Sequence, residues 1–188
     1  ATDSTETRRR VLDAARAEFA TRGYAATTVT AVARAADLAP SAIYHYFGGK
    51  QQLYEAVFEA TTDRIWGQIG VPEVLEANTL REAFALLVTD ARAGTEQLGD
   101  QADFVALVPV EARLHPEFAH LLERTSSYQD DRFGALASLG LSTGELDGFT
   151  HHQATEILRA IVMGWFFERH LRGREIPGSS DALLALID

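Results

Sequence analysis

The sequence has no cysteine, which excludes a disulfide framework and a thiolate zinc site and leaves stability to packing. Long apolar runs are also missing. The longest, Ala160 to Phe167, is closed by Arg159 and Glu168 and is far too short to span a bilayer. No stretch shows the alternation of a strand, and there is no internal repeat or low-complexity tract. Near the start, Arg8-Arg9-Arg10 leads into an amphipathic pattern and not the apolar block of a secretory signal. A cytoplasmic protein with no membrane partner is the expectation.

Motifs of catalysis are absent as well. There is no HExxH, no Gly-rich phosphate loop and no serine nucleophile elbow. His151 and His152 are adjacent, so a helix points them to different faces, and His115 and His120 fall at neither i+3 nor i+4. No enzyme, no metal and no cofactor are therefore expected. An all-helical enzyme is the formal alternative, and turnover by the purified protein would reveal it.

What is present is an ordinary globular composition. At 188 residues, 46% hydrophobic and 23% charged, the chain can bury a core as one or two domains. Its net charge of −10 argues superficially against a nucleic-acid partner, but the charge is unevenly spread. Residues 1–50 hold seven Lys/Arg against five Asp/Glu, whereas residues 51–188 hold ten against twenty-two. This asymmetry fits a small DNA-facing module on an acidic body that DNA repels.

Apolar spacing predicts helices throughout, hence an all-α chain. The first covers about Thr5 to Arg22, with Val11, Leu12, Ala15 and Phe19 buried and Gly23 as its stop. A connecting helix runs from Gly49 or Lys50 towards Gly67 or Gly70. Thr79-x-x-Glu82 is a capping box that opens a helix lasting to about Leu98. Gln101 to Leu114 forms the next, and Pro109 inside it predicts a kink or an early end near Val108. Pro116 opens a helix to Gly140, and Ser142 to Thr150 reads as a loop. Thr150-x-x-Gln153, a second capping box, starts the helix His151–Leu171, and Ser180 to Ile187 makes a short last one.

The chain is organised around Thr27 to Lys50, TTVTAVARAADLAPSAIYHYFGGK. Val29, Val32, Ala33 and Ala36 share one face of a first short helix, which Thr27 or Thr28 can cap. Ala36-Asp37-Leu38 supplies a turn, with aspartate tolerating the left-handed conformation. Pro40 restarts the chain at a first helical position, and Ile43 with Phe47 gives the second helix a core face. Two short helices at this spacing match helix-turn-helix geometry, in which the second enters a DNA major groove.

These residues resemble the tetracycline-repressor (TetR) family of bacterial transcription regulators. Thr27, Thr28, Val29, Val32, Ala33, Ala36, Leu38, Ile43, Tyr44, Tyr46, Phe47 and Lys50 stand at matching places, and the resemblance covers about the first quarter of the chain. Asp37 stands where glycine is usual, Ala39 replaces a serine cap and Gly49 replaces a polar residue. The resemblance implies Tyr44 and Tyr46 against DNA backbone or thymine methyls, and Lys50 with Thr27 and Thr28 on phosphates. Ser41, Ala42 and His45 are the expected base-edge readers. Arg8, Arg9 and Arg10, unfavourable at a helix start, also lean towards phosphate.

The helix His151–Leu171 carries two adjacent apolar stripes. Either it is wholly buried, or it packs its own core on one side and a second subunit on the other; the breadth of the stripes favours the latter. Leu136, Ile157, Ala160, Ile161, Gly164 and Trp165 are the expected dimer residues, since the resemblance implies that Pro116–Leu139 and His151–Leu171 pair across a two-fold axis. For a small-molecule effector, Trp66, Phe104, Leu107, Val108, Glu111, Tyr128 and Trp165 are the candidates to line a cavity between helices, although such aromatics also serve as plain core.

The reading is a two-domain regulator, with residues 1–48 as the three-helix DNA-binding module and residues 49–188 as a helical domain for effector binding and dimerisation. It is expected to repress by binding a pseudo-palindromic double-stranded operator as a homodimer and to be released by a small molecule that tilts the Gly49–Ile65 helix. A ligand-independent regulator or an activator fits the same residues.

Overall fold

A computed structural model of the chain describes residues 2–68, 76–86 and 100–172, all-α with no strand among them. Contacts divide the chain into two compact units, residues 1–64 with 99–122 and residues 65–98 with 123–188. The expected terminal helix Ser180–Ile187, the far part of the helix begun at Thr79, and the Trp66 side chain lie outside the described residues.

In the first unit, helices α1 (Thr2–Ala26), α2 (Val29–Ala35), α3 (Pro40–Phe47) and α4 (Lys50–Gln68) follow one another, and α5 (Asp100–Leu114) returns to pack on α1. Gly23 breaks α1 where the sequence places its stop: φ 72°, ψ 173° is a backbone geometry essentially reserved to glycine. Val11, Ala15 and Phe19 face inward. Phe19, Tyr54, Phe104 and Phe118 are almost wholly buried, drawn from α1, α4, α5 and the 3-10 turn Pro116–Phe118. Their rings meet edge-on or tilted, Phe19 to Tyr54 at 5.0 Å and Tyr54 to Phe118 at 4.5 Å. Burying each such ring stabilises the fold by about 1.5–3 kcal/mol as an upper figure.

The early end expected at Pro109 is not found, and α5 runs on to Leu114. Packing overrides the local cost of the proline: Val105, Ala106, Val108 and Ala112 are all buried. The helical ladder resumes beyond it, with His115 N–H donating to Glu111 O at 2.7 Å.

In the second unit, a helical segment at residues 80–86 joins α6 (Ala119–Thr143) and α7 (His151–Arg172). Leu80, Ala83, Phe84, Phe133, Leu136, Ala137, Ala154, Leu158 and Val162 form its core. The Thr150–Gln153 capping box is formed, and Thr79 caps its helix with the Glu82 carboxylate returning one residue earlier. Glu82 N–H donates to Thr79 Oγ1 at 3.1 Å, and the Glu82 carboxylate returns to Asn78 N–H at 3.0 Å. Thr150 N–H donates to Gln153 Oε1 at 2.9 Å while Gln153 N–H reaches Thr150 Oγ1 at 3.3 Å. α6 continues past Gly140 to Thr143, because Gly140 is a packing residue and not a stop. A Cβ there would lie 2.7 Å from Leu146 and 2.8 Å from Leu80. Glu145, in the turn that follows, accepts N–H bonds from Leu80 at 2.7 Å and Arg81 at 3.1 Å, capping a helix far away in sequence.

Candidate nucleic-acid interface

Helices α2 and α3 are short because their caps are close together. Thr28 caps α2, accepting the Ala31 N–H at 3.1 Å. Asp37 takes the left-handed conformation, φ 55°, and the Leu38 N–H folds back to Ala33 O at 2.9 Å. Pro40 starts α3 behind Ala39, which makes no side-chain cap, and Gly48 ends it in the left-handed region at φ 85°. Val29, Val32, Ala33, Ala36, Ile43 and Phe47 are buried, so one face of each helix is consumed by the module.

That burial decides what α3 offers outward. Ser41, Tyr44 and His45 are exposed, Tyr44 by 56%. Ala42 and Tyr46 are half-buried, and the His45 and Tyr46 rings meet edge-on at 5.4 Å. A hydroxyl, a phenol and an imidazole therefore stand side by side on a solvent-facing helix, the donors and acceptors that base edges and phosphates require.

Five residues expected near phosphate already have partners within the module. Thr27 is 1% exposed and its hydroxyl is directed at Gly23 O, 2.8 Å, and Glu18 O, 3.1 Å, so it closes the turn after α1 and corrects the expectation of a phosphate contact. Arg10 donates to Ala36 O at 2.6 Å, completing the C-terminal end of α2. Arg8 lies over the Phe47 ring at 4.8 Å. Arg9 pairs with Glu6 and Asp13, and the hydrogen bond it donates to Glu6 raises the guanidinium pKa further. Lys50 is half-buried, with Nζ 4.3 Å from the Tyr24 ring centre and 3.2 Å from Ala25 O. Burial pulls its pKa down, against the charge of Glu111. One cation the sequence reading did not single out is Arg34, exposed in the last turn of α2. Its place off the Val29–Val32–Ala33–Ala36 stripe was the available signal.

The proposed effector residues separate. Phe104 and Val108 are core of the first unit and Leu107 is half-buried there, whereas Tyr128 and Trp165 belong to the second unit, half-buried. Glu111 is buried, and its Oε1 accepts the Tyr24 N–H at 2.7 Å; its anchor role is thus filled by the protein's own backbone. Of the expected dimer residues, Leu136 is 1% exposed inside the core of its own unit, which corrects its assignment to an interface. Ile157, Ala160 and Gly164 lie exposed along one side of α7, with Leu171 further on, while Ile161 and Trp165 are half-buried beside them. Among the described residues no group of His, Cys, Asp or Glu is arranged to hold a metal, and no helix is long and apolar enough to cross a membrane.

Comparison with known proteins bears on the sequence and the fold. Residues 11–57 fit the family model described as bacterial regulatory proteins, tetR family. No curated protein sequence matches the chain. Among solved structures, the transcriptional regulator FadR from Bacillus subtilis, in complex with stearoyl-CoA, is 19% identical over 95% of this chain and 96% of its own, with TM-score 0.78. AibR, solved with isovaleryl coenzyme A and operator DNA, is 16% identical over 96% and 97%, TM-score 0.75. The TetR-family regulator PfmR from Thermus thermophilus is 19% identical over 95% and 93%, TM-score 0.71. Residues 11–57 thus match the amino-terminal domain of the TetR family, and the chain shares the helical fold of these solved regulators along nearly its whole length.

Proposed function

We propose that the chain represses transcription by occupying a pseudo-palindromic DNA operator as a homodimer, and that a small molecule releases it. The observation that carries this reading is the exposed Ser41–Tyr44–His45 cluster on α3, backed by buried Ile43 and Phe47. In this reading residues 1–48 bind DNA, with Ser41, Ala42 and His45 reading base edges and Thr28, Tyr44 and Tyr46 touching backbone or thymine methyls. Lys50 keeps its place at the edge of the interface, with a phosphate as a further acceptor for its ammonium. Residues 49–188 serve dimerisation and effector binding.

One α3 spans too few base pairs for a specific site, and a two-fold dimer reads two half-sites about 10 bp or somewhat more apart. The exposed Ile157–Ala160–Gly164–Leu171 side of α7 is the surface offered to a second copy, because small and apolar side chains permit close helix approach. Two proteins of the same fold hold acyl-coenzyme A thioesters, which makes this class the first to titrate. For release by about 100-fold, the effector must favour the unbound conformation by about 2.7 kcal/mol, through a tilt of α4.

Selection of bound duplexes from a random pool, followed by footprinting, tests the reading. A pseudo-palindrome whose occupancy falls steeply with salt is expected. Preference for single half-sites or single-stranded nucleic acid would sink it. Adding acyl-coenzyme A thioesters to the selected duplex complex then tests release.

A further inference from the structure

The break at Gly23 creates a donor that the helix cannot satisfy. With Gly23 at φ 72°, ψ 173°, the next N–H leaves the helical ladder, and a buried amide without a partner is costly. Its acceptor comes from a helix 87 residues away: Glu111 Oε1 stands 2.7 Å from Tyr24 N. The approach is close enough that a Cβ on Gly23 would lie 2.8 Å from the same oxygen. Glycine is therefore required here by its backbone angles, and a side chain in its place would also displace the carboxylate from the amide.

The residues around this bond tie it to the helix-turn-helix. Glu111 is 8% exposed, and its Oε2 faces His115 Nε2 at 3.8 Å. The Tyr24 ring is enclosed by His115 and Phe118, each at 4.8 Å, and by Tyr54 at 5.2 Å, with Lys50 Nζ above it. Lys50 also donates to Ala25 O, Thr27 N–H donates to Tyr24 O at 3.3 Å, and the Thr27 hydroxyl is directed back to Gly23 O. Residues 23–27, which lead from the break in α1 to the Thr28 cap of α2, are thus pinned from α5 by Glu111 and from α4 by Lys50. Helix α2 begins directly after this connection and packs on α3, so the connection sets where the recognition helix stands.

We infer that Glu111 is a positioning residue for operator binding, fixing the α1–α2 connection through the Tyr24 amide without touching DNA itself. The inference rests on the DNA-binding reading above and extends it to a residue distant in sequence from the helix-turn-helix. A carboxylate is suited to the task because a charge-assisted bond to an amide is shorter and stronger than a neutral one. Its depth in the unit keeps water from competing for the amide.

The test uses the full chain and a duplex selected by the wild type. Glu111→Met keeps the volume and removes the acceptor, Glu111→Asp keeps the charge but draws it back by one methylene, and Glu111→Gln keeps an acceptor in reach. Met and Asp variants should lose Tyr24 amide protection in hydrogen exchange without DNA and bind the duplex about tenfold more weakly. That loss should be uniform over the pool, with base preference at every position unchanged, at a temperature where both remain fully helical. Glu111→Gln should recover most of both properties. Unchanged affinity in an Asp or Met variant that has lost Tyr24 protection would overturn the inference alone and leave Glu111 as a residue of the fold. A wild type that binds no duplex would overturn the reading beneath it as well, while the exchange of the Tyr24 amide would still report whether the bond forms.

Discussion

The guanidinium of Arg10 donates to the carbonyl oxygen of Ala36 at 2.6 Å, from the middle of α1 to the residue that ends α2. The last carbonyls of a helix lack intrahelical donors, and here an arginine on another helix supplies one. Arg10→Met retains the aliphatic stem and removes the bond, so stability should fall by about 1 kcal/mol. A lower midpoint in urea, with an unchanged slope, is the expected result. An unchanged midpoint would show that water replaces the guanidinium at no cost.

Two substitutions on neighbouring helices should separate base reading from phosphate contact. His45, exposed on α3, and Arg34, exposed on α2, differ in what they offer DNA. His45→Ala should alter the ranking of duplexes at one base pair by about 1–3 kcal/mol. Arg34→Ala should weaken all duplexes alike and reduce the salt slope by about one. Binding titrations on a set of single-base variants at several salt concentrations would show both, and a uniform loss for His45→Ala would reassign it to the backbone.

Gly164 is open to a substitution that discriminates the dimer from the monomer. Among the described residues nothing lies within 4 Å of a Cβ built there, so the first carbon of Gly164→Phe meets none of them. Light scattering should report a monomer with the wild-type helical circular dichroism, and duplex affinity should collapse with it. A variant that stays dimeric would move the interface off this side of α7.

Acid should act on Glu145. Burial by itself pushes its pKa up, but the Thr143 hydroxyl and the amides of Leu80 and Arg81 outweigh it and hold the carboxyl below its ordinary 4.5. Because the folded value is depressed, the stabilisation is present above the unfolded value and is lost as pH falls through the folded one. Glu145→Gln should therefore be less stable than the wild type at neutral pH, and the gap should narrow below about pH 4.5. Thermal melts across that range measure it; a gap independent of pH would assign the loss to geometry and not to charge.

The sequence by itself determined the elements whose causes are local. The α2–α3 pair followed from apolar spacing, Asp37 and Pro40, and the break in α1 followed from Gly23. Both helix caps followed from residues three apart, Thr79 with Glu82 and Thr150 with Gln153. In each case both partners lie within one turn, where backbone geometry alone brings them together. Tertiary structure decided the rest. Thr27 and Thr28 are neighbours of one residue type, yet burial at 1% turns the first inward and leaves the second at the surface. Arg10 and Glu111 read as a surface cation and an effector anchor until the fold sets them against Ala36 and Tyr24, 26 and 87 residues away. Leu136 carried the same apolar signal as Ile157, but one is core and the other is 44% exposed. Periodicity identifies an apolar face; which neighbour covers it depends on chain paths that no local pattern encodes.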